Sequence, residues 1–166
     1  MPSIKSLNIA ALRVGAIVFA ALASSTPALA DVTAPTGCTG LASNTWIEVA
    51  VEGLRNGDGL VAITLYADNS RKFLVKHGSL YVGRVPAQAG VTRGCIFVPN
   101  PGIYAIAIYH DENGDQSFDR TGFGLPKEGY GFSNNPRTLA GLPSFRSVRL
   151  SIPRSGLMTR IQMKYP

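Results

Sequence analysis

From Thr45 onward the chain alternates with a period of two, placing Ile47, Val49 and Val51 on one side and Trp46, Glu48 and Glu52 on the other. Successive side chains of an extended backbone point to opposite faces, so this pattern predicts a strand with one wet face. Further strand candidates follow at Leu60 to Ala67, Ser79 to Pro86, Val91 to Val98, Gly102 to His110, Phe145 to Ile152 and Leu157 to Tyr165, each bounded by Gly, Pro, Asn or Ser. Seven short strands with turn residues between them, and no convincing helix, predict an all-β fold built as a single antiparallel sandwich. At 166 residues the chain suits one core rather than two.

Between the first two strands lies Arg55-Asn-Gly-Asp-Gly59, whose Asn-Gly and Asp-Gly pairs tolerate positive backbone angles, so a hairpin is expected there. The segment Ile103 to Tyr109 is apolar nearly throughout and suits an interior strand. The last strand alternates Arg160, Gln162 and Lys164 with Ile161, Met163 and Tyr165 and suits an edge or an exposed face.

Ahead of the strands, Lys5 and Arg13 precede an apolar run from Val14 to Ala23, and Pro27-Ala-Leu-Ala30 supplies a small-residue cleavage pattern. The run is about half the length of a bilayer-spanning helix. Residues 1–30 are therefore expected to be a signal peptide cut after Ala30, sending a chain that begins at Asp31 to the periplasm or the medium. No later apolar stretch is long and uninterrupted enough to span a membrane as a helix.

An exported address changes how Cys38 and Cys95 read. They are the only two cysteines, and in an oxidising compartment an even count implies a disulfide. Such a bridge would tie an N-terminal arm, residues 31–44, to a sandwich spanning 45–166. The alternatives are two buried thiols, or a lipid-bearing Cys38, against which Pro35 stands where an apolar residue belongs.

The formal net charge is +6, and two of the basic residues, Lys5 and Arg13, leave with the signal peptide. The remaining bases scatter from Arg55 to Lys164, which reads as a solvated surface and gives no case for nucleic acid. The densest piece, Arg71-Lys-Phe-Leu-Val-Lys76, is the one candidate for an anion such as an acidic glycan or an anionic lipid head.

After the interior strand the chain runs His110-Asp-Glu-Asn-Gly-Asp-Gln-Ser-Phe-Asp119, opening a loop at 111–144. Long loops in small domains carry function or disorder. Asp111, Asn113, Asp115 and Asp119 occupy the first, third, fifth and ninth places of a calcium-loop spacing, and Ser117 at the seventh would offer its carbonyl. Gln116 stands where the turning glycine belongs and Gly122 where the bidentate glutamate belongs, so Glu128 is the candidate for the missing carboxylate. The same residues also serve as an Asx-rich turn with Gly114 in a left-handed conformation. Calcium is the one cofactor the pattern suggests.

Further on, glycines interleave with Phe123, Tyr130 and Phe132. Together with Glu128 these are the candidate contacts for a glycan or protein partner, the rings stacking on sugars or plugging one end of the sandwich.

Several pieces in order carry a family resemblance: Gly53-Leu-Arg-Asn-Gly57, the Pro-Gly-Ile-Tyr passage ending at Tyr104, His110-Asp-Glu-Asn-Gly-Asp115, and Pro126-Lys-Glu-Gly-Tyr-Gly-Phe-Ser-Asn134. From about Trp46 to the C-terminus the chain resembles the bacterial family called domain of unknown function 2141. That family's acidic loop usually reads Asp-Glu-Asn-Gly-Asn-Gly, so Asp115 and Gln116 depart from it. The passage from Val98 to Tyr104 also resembles the turn-to-strand entry of transthyretin-like and carboxypeptidase-regulatory-like domains. The resemblance implies an exported β-sandwich, transthyretin-like or immunoglobulin-like, with no assigned activity.

Three functions compete on the sequence. The leading one is a non-catalytic binding or structural module of the cell envelope that presents residues 110–136 to a glycan, a cation or a partner protein. The second is a hydrolase using His110 with Asp111 or Glu128 as general base. No Gly-x-Ser-x-Gly elbow supports it, and His77 is the only other histidine. The third is a subunit or partner in an envelope assembly, joined through exposed edge strands.

Overall fold

In a computed structural model of the chain, residues 33–138 and 142–166 are described, and these form one compact unit. The expected signal peptide lies outside the described residues, as do residues 139–141 of the long loop.

Among the described residues eight strands form in order: β1 (Thr45–Leu54), β2 (Leu60–Ala67), β3 (Tyr81–Pro86), β4 (Gly90–Val98), β5 (Gly102–Asp111), β6 (Gly129–Phe132), β7 (Arg149–Ile152) and β8 (Leu157–Gln162). A single helical turn, α1 (Phe145–Val148), precedes β7. Among the described residues no helix is long and apolar enough to cross a membrane. One sheet runs β4-β1-β8 and the other β3-β2-β5-β6, with β7 also paired to β5. The two sheets make the expected sandwich.

Period two explains the core. Ile47, Val49 and Val51 of β1 face Val61, Ile63 and Leu65 of β2 and Ile106 and Ile108 of β5, and Ile96 and Ile161 complete the same cluster. Both faces of β2 and β5 are largely buried, which places them inside the larger sheet. The last strand lies at the edge of the smaller one.

Five expectations need correction. The segment from Arg55 to Gly59 is no hairpin, because β1 pairs with β4 and β8 while β2 pairs with β3 and β5. Its apolar flanks must face each other across the core, and a tight hairpin would leave them side by side in one sheet. The chain instead crosses between sheets, with Asn56 Oδ1 accepting the Asp58 N–H at 3.0 Å. Gly59 completes the crossing at φ +64°, where a Cβ would strike the Asp111 carbonyl.

The pairing is antiparallel except between β1 and β8, which run parallel from Ile47↔Leu157 to Glu52↔Gln162. That strand also stops at Gln162, after which Lys164 exchanges backbone hydrogen bonds with Tyr130 and links the two sheets.

The strand expected over 145–152 begins only at Arg149. Phe145 and Val148, three apart, both join an apolar cluster on the outer face of the larger sheet, and a helical turn alone puts such a pair on one side.

Finally, β6 lies inside the segment read as a loop. Gly129 and Gly131 point inward, where a Cβ on Gly129 would come within 2.5 Å of the Tyr165 ring. The glycines permit close approach of strand to core, and they hide the alternation of Tyr130 and Phe132 on the other side.

Cys38 and Cys95 form the disulfide, with Cα atoms 4.4 Å apart. Beside it Thr39 pairs with Ile96, accepting the Phe97 N–H and donating its own N–H to the Cys95 carbonyl, both at 2.9 Å. The arm thus covers part of the outer edge of β4.

Candidate functional site

The acidic loop begins where β5 ends. Asp111 is fully buried, and its carboxylate accepts the N–H groups of Asp115 at 3.1 Å and Gln116 at 2.9 Å. Asn113 Oδ1 also accepts the Asp115 N–H, and Asp115 Oδ1 accepts that of Ser117 at 2.8 Å. These are the self-closing bonds of an Asx turn. Gly114 takes φ +72° and Gln116 φ +65°, so Gln116 adopts the left-handed conformation that a calcium loop gives to glycine.

Glu128 lies beside this loop, nearly buried, with Oε2 accepting the Asp119 N–H at 3.0 Å. Burial pushes its carboxyl above the usual range, and the charges of Asp111, Asp119 and Asp115 push the same way against the Asp119 hydrogen bond. The sequence-predicted carboxylates are therefore near enough to feel one another. Among the described residues, no group of three or more His, Cys, Asp or Glu side chains is gathered closely enough to hold a metal ion.

His110 points the opposite way from Asp111, as neighbours on a strand must. It is fully buried. Nε2 donates to the Asp58 carbonyl at 2.8 Å, and Nδ1 accepts the Tyr165 hydroxyl at 2.7 Å. Both nitrogens are engaged inside the core, away from Asp111 and Glu128, and neither is presented to a substrate.

The three aromatic candidates separate. Phe123 is 96 % exposed at the tip of a turn closed by the Thr121–Leu125 and Gly124–Thr121 backbone bonds. Tyr130 and Phe132 instead sit on the outward side of β6, opposite Tyr109 and Ala107. Phe118 folds over them, its ring 5.5 Å from Tyr109 and 6.3 Å from Tyr130.

These rings border a cleft of about 870 Å³ on the outer face of the larger sheet. Its floor uses the outward positions of adjacent strands, including Thr64, Ala107 and Val82, where small side chains leave room. One wall is the segment after β2 that carries Leu74, Val75 and Lys76; the other is the acidic loop from Gln116 to Arg120. Among the described residues no carboxylate lines it.

Two arginines that the sequence did not single out also line it. Arg84 Nη2 donates to the Gln116 carbonyl at 3.3 Å, which the Tyr109 hydroxyl also reaches at 3.1 Å. Arg84 Nε is buried and has no hydrogen-bond partner among the described residues. Burial raises the Tyr109 phenol, and the Arg84 guanidinium opposes that shift. Arg120 Nη1 donates to the Gly124 carbonyl at 2.9 Å while its guanidinium lies 4.8 Å from the Phe118 ring centre. The alternation of Val82 and Arg84 was visible in the sequence, but which strands flank β3 was not.

No curated protein and no solved structure matches the chain. A family model, DUF2141, described as an uncharacterized protein conserved in bacteria, matches residues 49–159, from within β1 to within β8, and the chain belongs to that family.

Proposed function

We propose that the chain is a non-catalytic binding module of the bacterial cell envelope, exported after cleavage near Ala30, with the outer-face cleft as its ligand site. The observation that carries this reading is the cleft itself: a concave sheet face lined by aromatic rings and a few polar groups, the usual composition of a small-molecule site. The acidic loop forms one wall, and calcium bound there would stabilise that wall. The hydrolase alternative draws no support from His110, whose two nitrogens are committed within the core.

Two experiments test the proposal together. Cell fractionation with intact-mass measurement is expected to find a chain starting at Asp31 outside the cytoplasm. Co-sedimentation of that purified chain with isolated envelopes is expected to be lost on Thr64→Trp, which fills the cleft floor. An uncleaved cytoplasmic chain, or envelope binding indifferent to Thr64→Trp, would overturn it.

A further inference from the structure

The chemistry of the cleft narrows what it can hold, and the narrowing rests on the binding reading above. Among the described residues three cations line it, Lys76, Arg84 and Arg120, and no acid does. Elsewhere on the surface Arg55, Arg93, Arg149 and Arg160 pair with Glu112, Glu48, Asp68 and Glu52. None of the three cleft cations makes such a pair among the described residues. Arg84 is the most constrained of them, anchored through Nη2 to a backbone carbonyl and left with a buried Nε that has no acceptor. The buried Nε is closed to solvent, so an anion in the cleft would meet this guanidinium through its Nη groups, in charge-assisted hydrogen bonds.

Besides the cations, the cleft is lined by polar Thr64, Ser79, Tyr109, Gln116 and Ser117 and by a larger set of apolar side chains. Leu74, Val75 and Leu142 line it although they are 38 %, 48 % and 54 % exposed. Below them lie Tyr66, Tyr130 and Phe132. A saccharide is held best where carboxylates accept its hydroxyl hydrogens, and among the described residues the cleft offers only the hydroxyls of Thr64, Ser79, Tyr109 and Ser117 and the Gln116 amide. An aliphatic body needs only apolar contact, which the rim and floor provide. A concave shape with its charge partly enclosed suits a single molecule better than a flat membrane surface.

We propose that the cleft binds a single-tailed amphipathic anion, with its aliphatic chain against the aromatic floor and the rim, and its acidic head at Arg84 and Arg120.

The test uses the purified chain beginning at Asp31 and four probes, with affinity read by calorimetry below micelle-forming concentrations. The probes are dodecanoate, dodecyltrimethylammonium, dodecyl maltoside and trigalacturonate. Dodecanoate is expected to bind at least tenfold more tightly than the other three, and Arg84→Gln is expected to weaken it about tenfold, the usual loss when a charge-assisted hydrogen bond is removed. Arg120→Gln, at an exposed position, serves as a second variant should Arg84→Gln fail to fold, with a weakening of at least threefold expected. Equal binding of the three dodecyl probes would overturn the choice of an anion and leave an apolar cleft. Tighter binding of trigalacturonate would overturn the aliphatic body in favour of an acidic saccharide. Binding of none would overturn the inference, while envelope co-sedimentation would still decide the broader proposal.

Discussion

The Tyr165 hydroxyl lies 2.7 Å from Nδ1 of His110, donating to the ring while accepting the Arg55 N–H at 3.2 Å. The Arg55 guanidinium stacks 4.5 Å over the same tyrosine ring and pairs with Glu112, which also accepts from Asn56. One phenol thus joins the end of β5, the crossing between sheets and the residues after β8. Tyr165→Phe leaves a buried ring nitrogen without its donor and is expected to lower stability by about 1–3 kcal/mol, as read from denaturant melts. His110→Ala should lose at least as much.

Gly129→Ala is expected to destabilise by about 1–3 kcal/mol, because the added methyl meets the Tyr165 ring and over-packed cores strain. A paired Gly129→Ala, Tyr165→Leu variant should recover part of the loss attributable to that clash. Equal losses in the single and the paired variant would show that the glycine matters for another reason.

Joint replacement of Cys38 and Cys95 by serine opens a loop with a sequence separation of 57. Chain entropy alone predicts a loss of up to about 4 kcal/mol. Amide hydrogen exchange should then speed up at Phe97, whose N–H is held by Thr39 of the arm. Unchanged exchange at Phe97 would mean the arm stays docked without the covalent tie.

Glu128 sets a pH dependence of its own. Its folded carboxyl titrates above the ordinary 4.5, so over the window between the two values the native chain holds more proton than the unfolded chain. Its contribution is fully present below the unfolded value and is lost as pH rises through the folded one. The melting temperature of wild type minus that of Glu128→Gln should therefore fall with rising pH across that window. Asp68 and Glu112, held below the ordinary range by hydrogen bonds from Arg149 and Arg55, act in the opposite direction and are common to both proteins.

Calcium, were it bound by the loop, would relieve the mutual repulsion of these carboxylates. A rise in melting temperature on adding calcium, reversed by chelator and absent in Asp111→Ala, is the expected result for a loop that binds the ion only when folded. A melt indifferent to calcium would leave the loop as the Asx turn its hydrogen bonds already make.

Strands whose inward residues are branched and apolar were legible, because Val61, Ile63 and Leu65, or Ile106 and Ile108, announce a period without help from neighbours. The edge position of the last strand followed from Arg160 and Gln162. Cys38 pairs with Cys95 because no other cysteine exists. What the sequence concealed has physical causes. Gly129 and Gly131 carry no side chain to register a period, so β6 read as loop. The crossing at 55–59 carries hairpin residues because an Asx turn and a left-handed glycine serve either route. The cleft was the least legible feature, since Thr64, Arg84, Ala107 and Tyr130 share a face only once the order β3-β2-β5-β6 is known. Of the candidate residues, Tyr130 and Phe132 came together there, while Phe123 did not.

The parallel pairing of β1 with β8 sets a schedule for folding. A chain delivered N-terminus first exposes β1 early, and β4 can satisfy one of its sides as soon as residues 90–98 arrive. The other side, from Ile47 to Glu52, waits for residues 157–162, the last strand to be made. Contacts so distant along the chain are slow to form, because loop closure must come before any gain from pairing. The smaller sheet is a clasp that is complete only when β8, the last of the described strands, is in place.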